Sequence, residues 1–115
     1  LMTDCIFCRI AAGELPANIA YEDEDVIAFH DLEPQAPTHV LVIPRQHLST
    51  LLDADTGHTL LLGKLQLAAI EIARQLSLDK EGFRVVTNCL AGAGQSVFHV
   101  HVHLLGGRAF SWPPG

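Results

Sequence analysis

Three histidines spaced two apart, His99, His101 and His103, follow directly on the small-residue loop Ala91-Gly92-Ala93-Gly94-Gln95-Ser96. Their alternation with Val100 and Val102 has the period of a β-strand, in which successive side chains point to opposite faces. The three imidazoles would then share one face at steps of roughly 6.5–7 Å, with the two valines turned into a core. A half-buried strand that merely carries histidine is the plain alternative. Three imidazoles in one row, however, gather nucleophile, proton-shuttle and metal-ligand capacity near neutral pH.

The loop ahead of them sharpens the chemistry. Gly92, Gly94 and the alanines let backbone approach a ligand closely and aim several N–H groups together, a nest for an anion. Gln95 and Ser96 add side-chain donors. An anion cradle beside an imidazole suits attack on phosphorus, with a covalent intermediate that water later releases and backbone amides offsetting the developing charge. The central His101 is the natural nucleophile. The competing use is a metal triad, since His-x-His on a strand is also ligand geometry. A catalytic zinc would want a further ligand and an open position, and nothing nearby offers one to all three.

Those groups need a scaffold. Cys5 to Ala12 reads as a short helix ending at Gly13. Ile19 to Glu22 and Val26 to Asp31 read as strands joined by the acidic turn Asp23-Glu24-Asp25. After a Pro-bearing loop, Val40-Leu41-Val42-Ile43 is a continuous apolar run stopped by Pro44, the pattern of a strand covered on both faces. Thr59 to Leu76 turns helical: Leu61, Leu62, Leu65, Ala68, Ala69, Ile72, Ala73 and Leu76 fall on one arc of roughly 140°. Leu60, Leu67 and Ile70 lie outside that arc, as candidates for a subunit interface or as scattered surface residues. Phe83 to Asn88 is the next strand, before the loop and the histidines. Strands, one main helix, then more strands indicate an α+β fold with a mainly antiparallel sheet.

The 115 residues are read as one domain, 1–115, with Leu1 ahead of Met2 set aside as foreign to the natural chain. Nearly half the residues are hydrophobic (49%), which excludes a disordered chain. No apolar run is long enough to span a bilayer and no basic-then-apolar leader stands at the N-terminus, so no membrane role is expected. The net charge of −6, without a Lys/Arg stripe, excludes a binder of DNA or RNA polymers. It leaves room for one small phosphate held by local amide dipoles. Cys5, Cys8 and Cys89, an odd number, fit free thiols or a metal site in a reducing cytoplasm better than a disulfide framework.

The sequence resembles the histidine-triad (HIT) superfamily of nucleotide hydrolases and transferases, and within it the Hint branch. The resemblance rests on His99-Val-His-Val-His103, Ala28-Phe-His-Asp-Leu-Glu-Pro-Gln-Ala-Pro-Thr-His39, Val42-Ile-Pro44, Gly94-Gln-Ser96, Leu105-Gly-Gly-Arg108 and Trp112-Pro-Pro-Gly115, spread over essentially the whole chain. It implies a sheet of about five strands with one long and one short helix, the sheet extended across a homodimer. It also implies a purine nucleoside phosphoramidase, which hydrolyses a P–N bond of the adenosine 5′-monophosphoramidate type to AMP and an amine.

Carried onto matching positions, the resemblance makes His101 the nucleophile. His103 and Gly94, Gln95 and Ser96 would hold the phosphate, with Ser96 helping to protonate the leaving nitrogen. His99 and His39 would complete the catalytic histidine network. Asp31 would accept from the ribose hydroxyls and Asn88 would bind near sugar and phosphate. Ile6, Phe7, Ile10, Phe29 and Leu32 would wall the base pocket. Plainer roles compete: a turn cap for Asp31, a strand end for Asn88, ordinary core for the apolar set.

The pair Cys5-Ile-Phe-Cys8 departs from the animal Hint pattern and resembles bacterial HIT proteins and related uridylyltransferases. There it implies half of a structural zinc site, completed here by His47 and His99; catalysis itself would need no cofactor. Inert thiols or a redox pair are the alternatives, the latter lacking a thioredoxin-like context. His30 and His58 are read as ordinary polar positions. Two other functions share these motifs: a non-catalytic purine-nucleotide-binding regulatory module and a dinucleoside polyphosphate hydrolase.

Overall fold

Val26 and Ala28 point to one side of the sheet, Ile27 and Phe29 to the other, and all four are buried. That double coverage organises the molecule, seen here in a computed structural model that describes residues 4–115. The strands are β1 (Ile19–Glu22), β2 (Val26–His30), β3 (Thr38–Pro44), β4 (Phe83–Val86) and β5 (Val102–Gly106). They form one five-stranded sheet in the order β1-β2-β3-β5-β4, antiparallel throughout. The α+β architecture read from the sequence is the one observed.

Helix α2 (Thr59–Gln75) covers one face. Its Leu65, Ala68, Ala69, Ile72 and Ala73 are buried against Val26, Ala28, Val40, Val42, Val100, Val102 and Leu104. The apolar arc at 3.6-residue spacing thus does what it implied, except at its last member. Leu76 caps the helix and is 38% exposed, because the chain turns away there through Ser77 in a positive-φ conformation. Of the residues outside the arc, Leu60 and Leu67 are exposed and Ile70 is half-buried.

The opposite face is covered by the short helix α1 (Ile6–Ala11). Phe7 enters a second core with Ile27, Phe29, Leu41 and Ile43. Six residues make a marginal helix alone, so tertiary ties must hold it. The Cys5 thiol accepts from the Cys8 N–H at its N-terminus. At the other end the Arg45 guanidinium donates to the Ala11 carbonyl (2.9 Å), the Asp23 carbonyl (2.8 Å) and the Glu22 carboxylate (3.0 Å).

The histidine segment departs from the expected strand. Pairing of β3 with β5 begins at Val42↔Val102, so His103 lies in the strand while His99 and His101 lie on its approach. The reason is a change of partner: the Val100 N–H donates to the Leu48 carbonyl at 2.7 Å, and the Pro44 carbonyl is taken by the His99 ring. The alternation survives, with Val100 and Val102 in the α2 core. Boundaries shift elsewhere too. β3 starts at Thr38 and includes Pro44, β2 ends at His30, and β4 stops at Val86, leaving Asn88 in the following loop. Three short 3₁₀ turns, Leu51–Asp53, Thr56–His58 and Ala91–Ala93, were not anticipated. The first two carry capping boxes from Thr50 to Asp53 and from Asp55 to His58.

Candidate active site and metal centre

Register across β3 and β5 sets the site. Leu41 stands opposite His103 and His39 opposite Leu105, which makes His39 and His103 diagonal neighbours on the face under α1. Their rings lie 5.2 Å apart, and His39 Nε2 is 2.9 Å from His103 Nδ1. His101 follows on the same face, its ring 5.0 Å from that of His103. Phe7 sets its ring edge-on to both His101 (5.3 Å) and Phe29 (5.3 Å), and lies 6.0 Å from His99.

Backbone partners have fixed hydrogen-bond roles, and these determine where each imidazole carries its proton. The His99 carbonyl can only accept, so His101 donates from Nδ1 (2.8 Å) and keeps a lone pair on Nε2. The Gln35 N–H can only donate, to His39 Nδ1 (3.0 Å), so His39 carries its proton on Nε2 and gives it to His103 Nδ1. Asp31 Oδ2 lies 3.4 Å from the same His39 Nε2. Burial pushes His39 below the ordinary imidazole value, Asp31 opposing it only in part. Burial also pushes His103 down to about 4, reinforced by the neighbouring His101 and His39. Both rings are therefore neutral at physiological pH, and this pair works through a directed hydrogen bond rather than through charge.

These rings open into a cleft of about 610 Å³, a size that takes a small ligand. Ile6, Phe7, Ile10, Phe29, Asp31, Leu32, His39, Gly94, Ser96, His101 and His103 all line it. The lining combines apolar side chains with carboxylate, imidazole and hydroxyl groups. Leu32 differs from the expected wall residue: at 96% exposed it stands at the rim. His30, read from the sequence as an ordinary polar position, lines the cleft too, as do Asn18 and Gln35, which were given no role; the place of His30 next to Asp31 at the end of β2 was the available signal. His58 instead accepts the Asp55 N–H and caps a 3₁₀ turn.

The small-residue loop needs correction in two respects. The N–H groups of Gly94 and Gln95 donate back to the Ala91 and Leu90 carbonyls, so they build the turn instead of a nest for an anion. The Gln95 side chain, expected among phosphate donors, is 4% exposed with both amide hydrogens committed to the carbonyls of Ser49 and Val97. Ser96 remains at the cleft surface. Asn88 lies behind Gly94, within 3.6 Å of where a side-chain carbon on that glycine would sit.

His99 takes a separate path. Its Nε2 donates to the Pro44 carbonyl (2.8 Å), which leaves Nδ1 as a lone pair aimed at Cys5 Sγ (3.3 Å), Cys8 Sγ (3.4 Å) and His47 Nδ1 (3.1 Å). Cys8 Sγ and His47 Nδ1 are 3.2 Å apart. Tetrahedral zinc bonds of about 2.0–2.3 Å imply ligand-to-ligand edges of about 3.3–3.8 Å, so four such atoms fit that ion closely. Burial pushes the Cys8 thiol up to about 11, with Cys5 beside it adding to the rise; a divalent cation is the charge that would offset this. A second group, Asp31, His39 and His103, also lies close enough for a metal. It fits poorly, because the Gln35 N–H fixes a proton on the His39 nitrogen that would have to bind it.

Residues 12–110 match the family model of the HIT domain. The chain belongs to the HIT family. A 14 kDa zinc-binding protein of Brassica juncea is 47% identical over 114 residues, covering 97% of this chain and all of the relative. The crystal structure of a HIT family hydrolase from Legionella pneumophila superposes with a TM-score of 0.95 at 46% identity, covering 97% of this chain and all of that one. A histidine triad nucleotide-binding protein from Candida albicans does so at 0.81 and 31% identity, over 96% and 83% of the two chains. The match spans the histidine row, and the similar solved structures include proteins named as HIT family hydrolases. Among the described residues no helix is long and apolar enough to cross a membrane.

Proposed function

We propose that this HIT protein hydrolyses purine nucleoside 5′-phosphoramidates through a nucleotidyl-histidine intermediate on His101. The observation that carries this reading is the His101 tautomer. With Nδ1 held by the His99 carbonyl, the opposite nitrogen keeps its lone pair beside His103 in a cleft that also offers Ser96.

In this mechanism Asp31 receives the ribose hydroxyls and Ile6, Phe7, Ile10, Phe29 and the rim residue Leu32 flank the base. His101 Nε2 attacks the α-phosphorus, a P–N(His) bond forms, and the substrate's P–N bond breaks. The amine leaves with a proton delivered through Ser96. Water then attacks phosphorus, returns a proton to Ser96, and releases AMP with His101 restored. His39, positioned by the Gln35 N–H, orients His103 toward the phosphate, and Asn88 backs the Gly94 turn. The phosphate-binding part assigned to Gln95 passes to Ser96 and His103.

Cys5, Cys8, His47 and His99 would hold a structural zinc, which when bound supplies charge compensation and rigidity and takes no part in the chemical step. Its effect on this chain is to fix His99, whose carbonyl fixes His101. Two copies of the chain would pair by a two-fold axis, hiding Leu60 and Leu67 (73% and 65% exposed) and extending the sheet from β4, an edge strand. The protein would act in the cytoplasm.

Turnover of an AMP phosphoramidate against diadenosine polyphosphates tests the reaction. Preference for the phosphoramidate supports it; preference for the polyphosphates assigns the protein to the other chemistry. Sedimentation at micromolar concentration tests the pairing, and a monomer there refutes it.

A further inference from the structure

Gln95 is buried in the wall between two loops, and every hydrogen of its amide is used. Its Nε2 donates to the Ser49 carbonyl (2.8 Å) and the Val97 carbonyl (3.1 Å), and its Oε1 accepts the Leu90 N–H (2.7 Å). Its own backbone N–H returns to the Leu90 carbonyl (3.1 Å). Leu90 needs that clamp. Its φ of 76° and ψ of 163° lie in a region entered freely by glycine alone, and a branched side chain stays there only when its surroundings over-determine it. The Ser49 end reaches a different element. Ser49 Oγ lies 3.2 Å from His47 Nε2, and the adjoining Leu48 carbonyl receives the Val100 N–H between His99 and His101.

We propose that Gln95 is a positioning residue: it locks the loop carrying Ser96 to the segment carrying His47, so that phosphate-side donors and the metal-side histidine are held as one unit. The proposal deepens the phosphate-loop reading above and rests on it for its consequence, though not for the tie itself. Gln95 touches no substrate. Its effect is confined to the phosphate end, because Asp31, Phe29 and Ile6 belong to other elements.

The test compares wild type with Gln95→Met, which keeps the volume and removes all three side-chain bonds, and Gln95→Glu. The glutamate keeps the acceptor for Leu90 but turns a carboxylate on two carbonyls. Hydrogen exchange reads the tie directly: both variants should raise exchange across residues 88–97 and 47–50 while the sheet stays protected. AMP affinity, by calorimetry, should fall about tenfold in Gln95→Met and further in Gln95→Glu, with adenosine affinity within about twofold of wild type. Unchanged exchange in those two segments overturns the proposal. So does a parallel loss of AMP and adenosine affinity, the mark of general loosening, or a Gln95→Met protein that behaves as wild type. If wild type itself holds AMP no tighter than adenosine, the phosphate-loop reading fails, and the exchange result still decides the tie.

Discussion

Replacing Phe7 with alanine tests whether the N-terminal helix is part of the site or an appendage to it. The ring is 4% exposed and packs against Phe29, His99 and His101. Truncating a buried phenylalanine costs about 3–5 kcal/mol where the surroundings cannot collapse. Collapse is restricted here, since α1 is pinned at Ala11 by Arg45 and at its start by the Cys5 and Cys8 cluster. With an unfolding entropy of about 2.1 cal/mol/K per residue, a chain of this length loses about 4 °C of Tm per kcal/mol. Phe7→Ala should therefore melt about 12–20 °C lower, whereas Phe7→Leu, which keeps most of the volume, should lose about 4–6 °C. Thermal melts by circular dichroism at one fixed protein concentration give the answer. The hydrogen bond from His101 Nδ1 survives both substitutions, so activity at a temperature where each is folded should fall less than stability does. A Tm shift below about 4 °C for Phe7→Ala would refute the packing argument.

The neutral histidines make stability depend on pH with a definite sign. His103 is pushed down to about 4 and His39 is lowered as well, so between about pH 6.5 and 4 the unfolded chain binds more protons than the folded one. Stability should then fall as pH drops through that window and level off above it; melts from pH 4 to 8 should show a flatter profile in His103→Gln than in wild type. For the metal centre, protein purified without chelator should carry about one zinc per chain, released as pH falls and protons compete for the thiols. Cys5→Ser/Cys8→Ser should bind none and melt lower, and an unchanged Tm with zinc well below one per chain would reduce the pair to packing.

Much of this arrangement was legible because its signals are periodic. The apolar run of β3 and the arc of α2 each follow from local geometry, and those elements formed where the patterns lie; the alternation of His99 to His103 kept its two faces but only Val102 and His103 of it entered a strand. The failures have a common physical origin in long-range pairing. Nothing local marks Val102 as the start of β5; the Leu48 carbonyl, more than fifty residues earlier, takes the Val100 N–H and ends the ladder. Gln95 sits in a glycine-rich loop that looks ready for an anion, yet its amide hydrogens go to the carbonyls of Val97 and of Ser49, the latter from a segment with no sequence cue linking the two. His30 was read as an ordinary polar position because a single histidine at a strand end carries no pattern, and only the folded sheet turns it to the cleft. Cys5, Cys8, His47 and His99 were brought together by resemblance, and the folded chain converges their ligand atoms.

The proposed reaction requires that His101 Nε2 become covalently nucleotidylated. Quenching with denaturant at alkaline pH, where a P–N(His) bond survives, within the first turnovers of an AMP phosphoramidate, then peptide mass analysis at that pH, tests it directly. One nucleotidyl group is expected on the peptide bearing His101, on that residue by fragmentation, with neither adduct nor appreciable turnover in His101→Ala, which still binds AMP. Substantial turnover by His101→Ala, or an adduct on another residue, would contradict it.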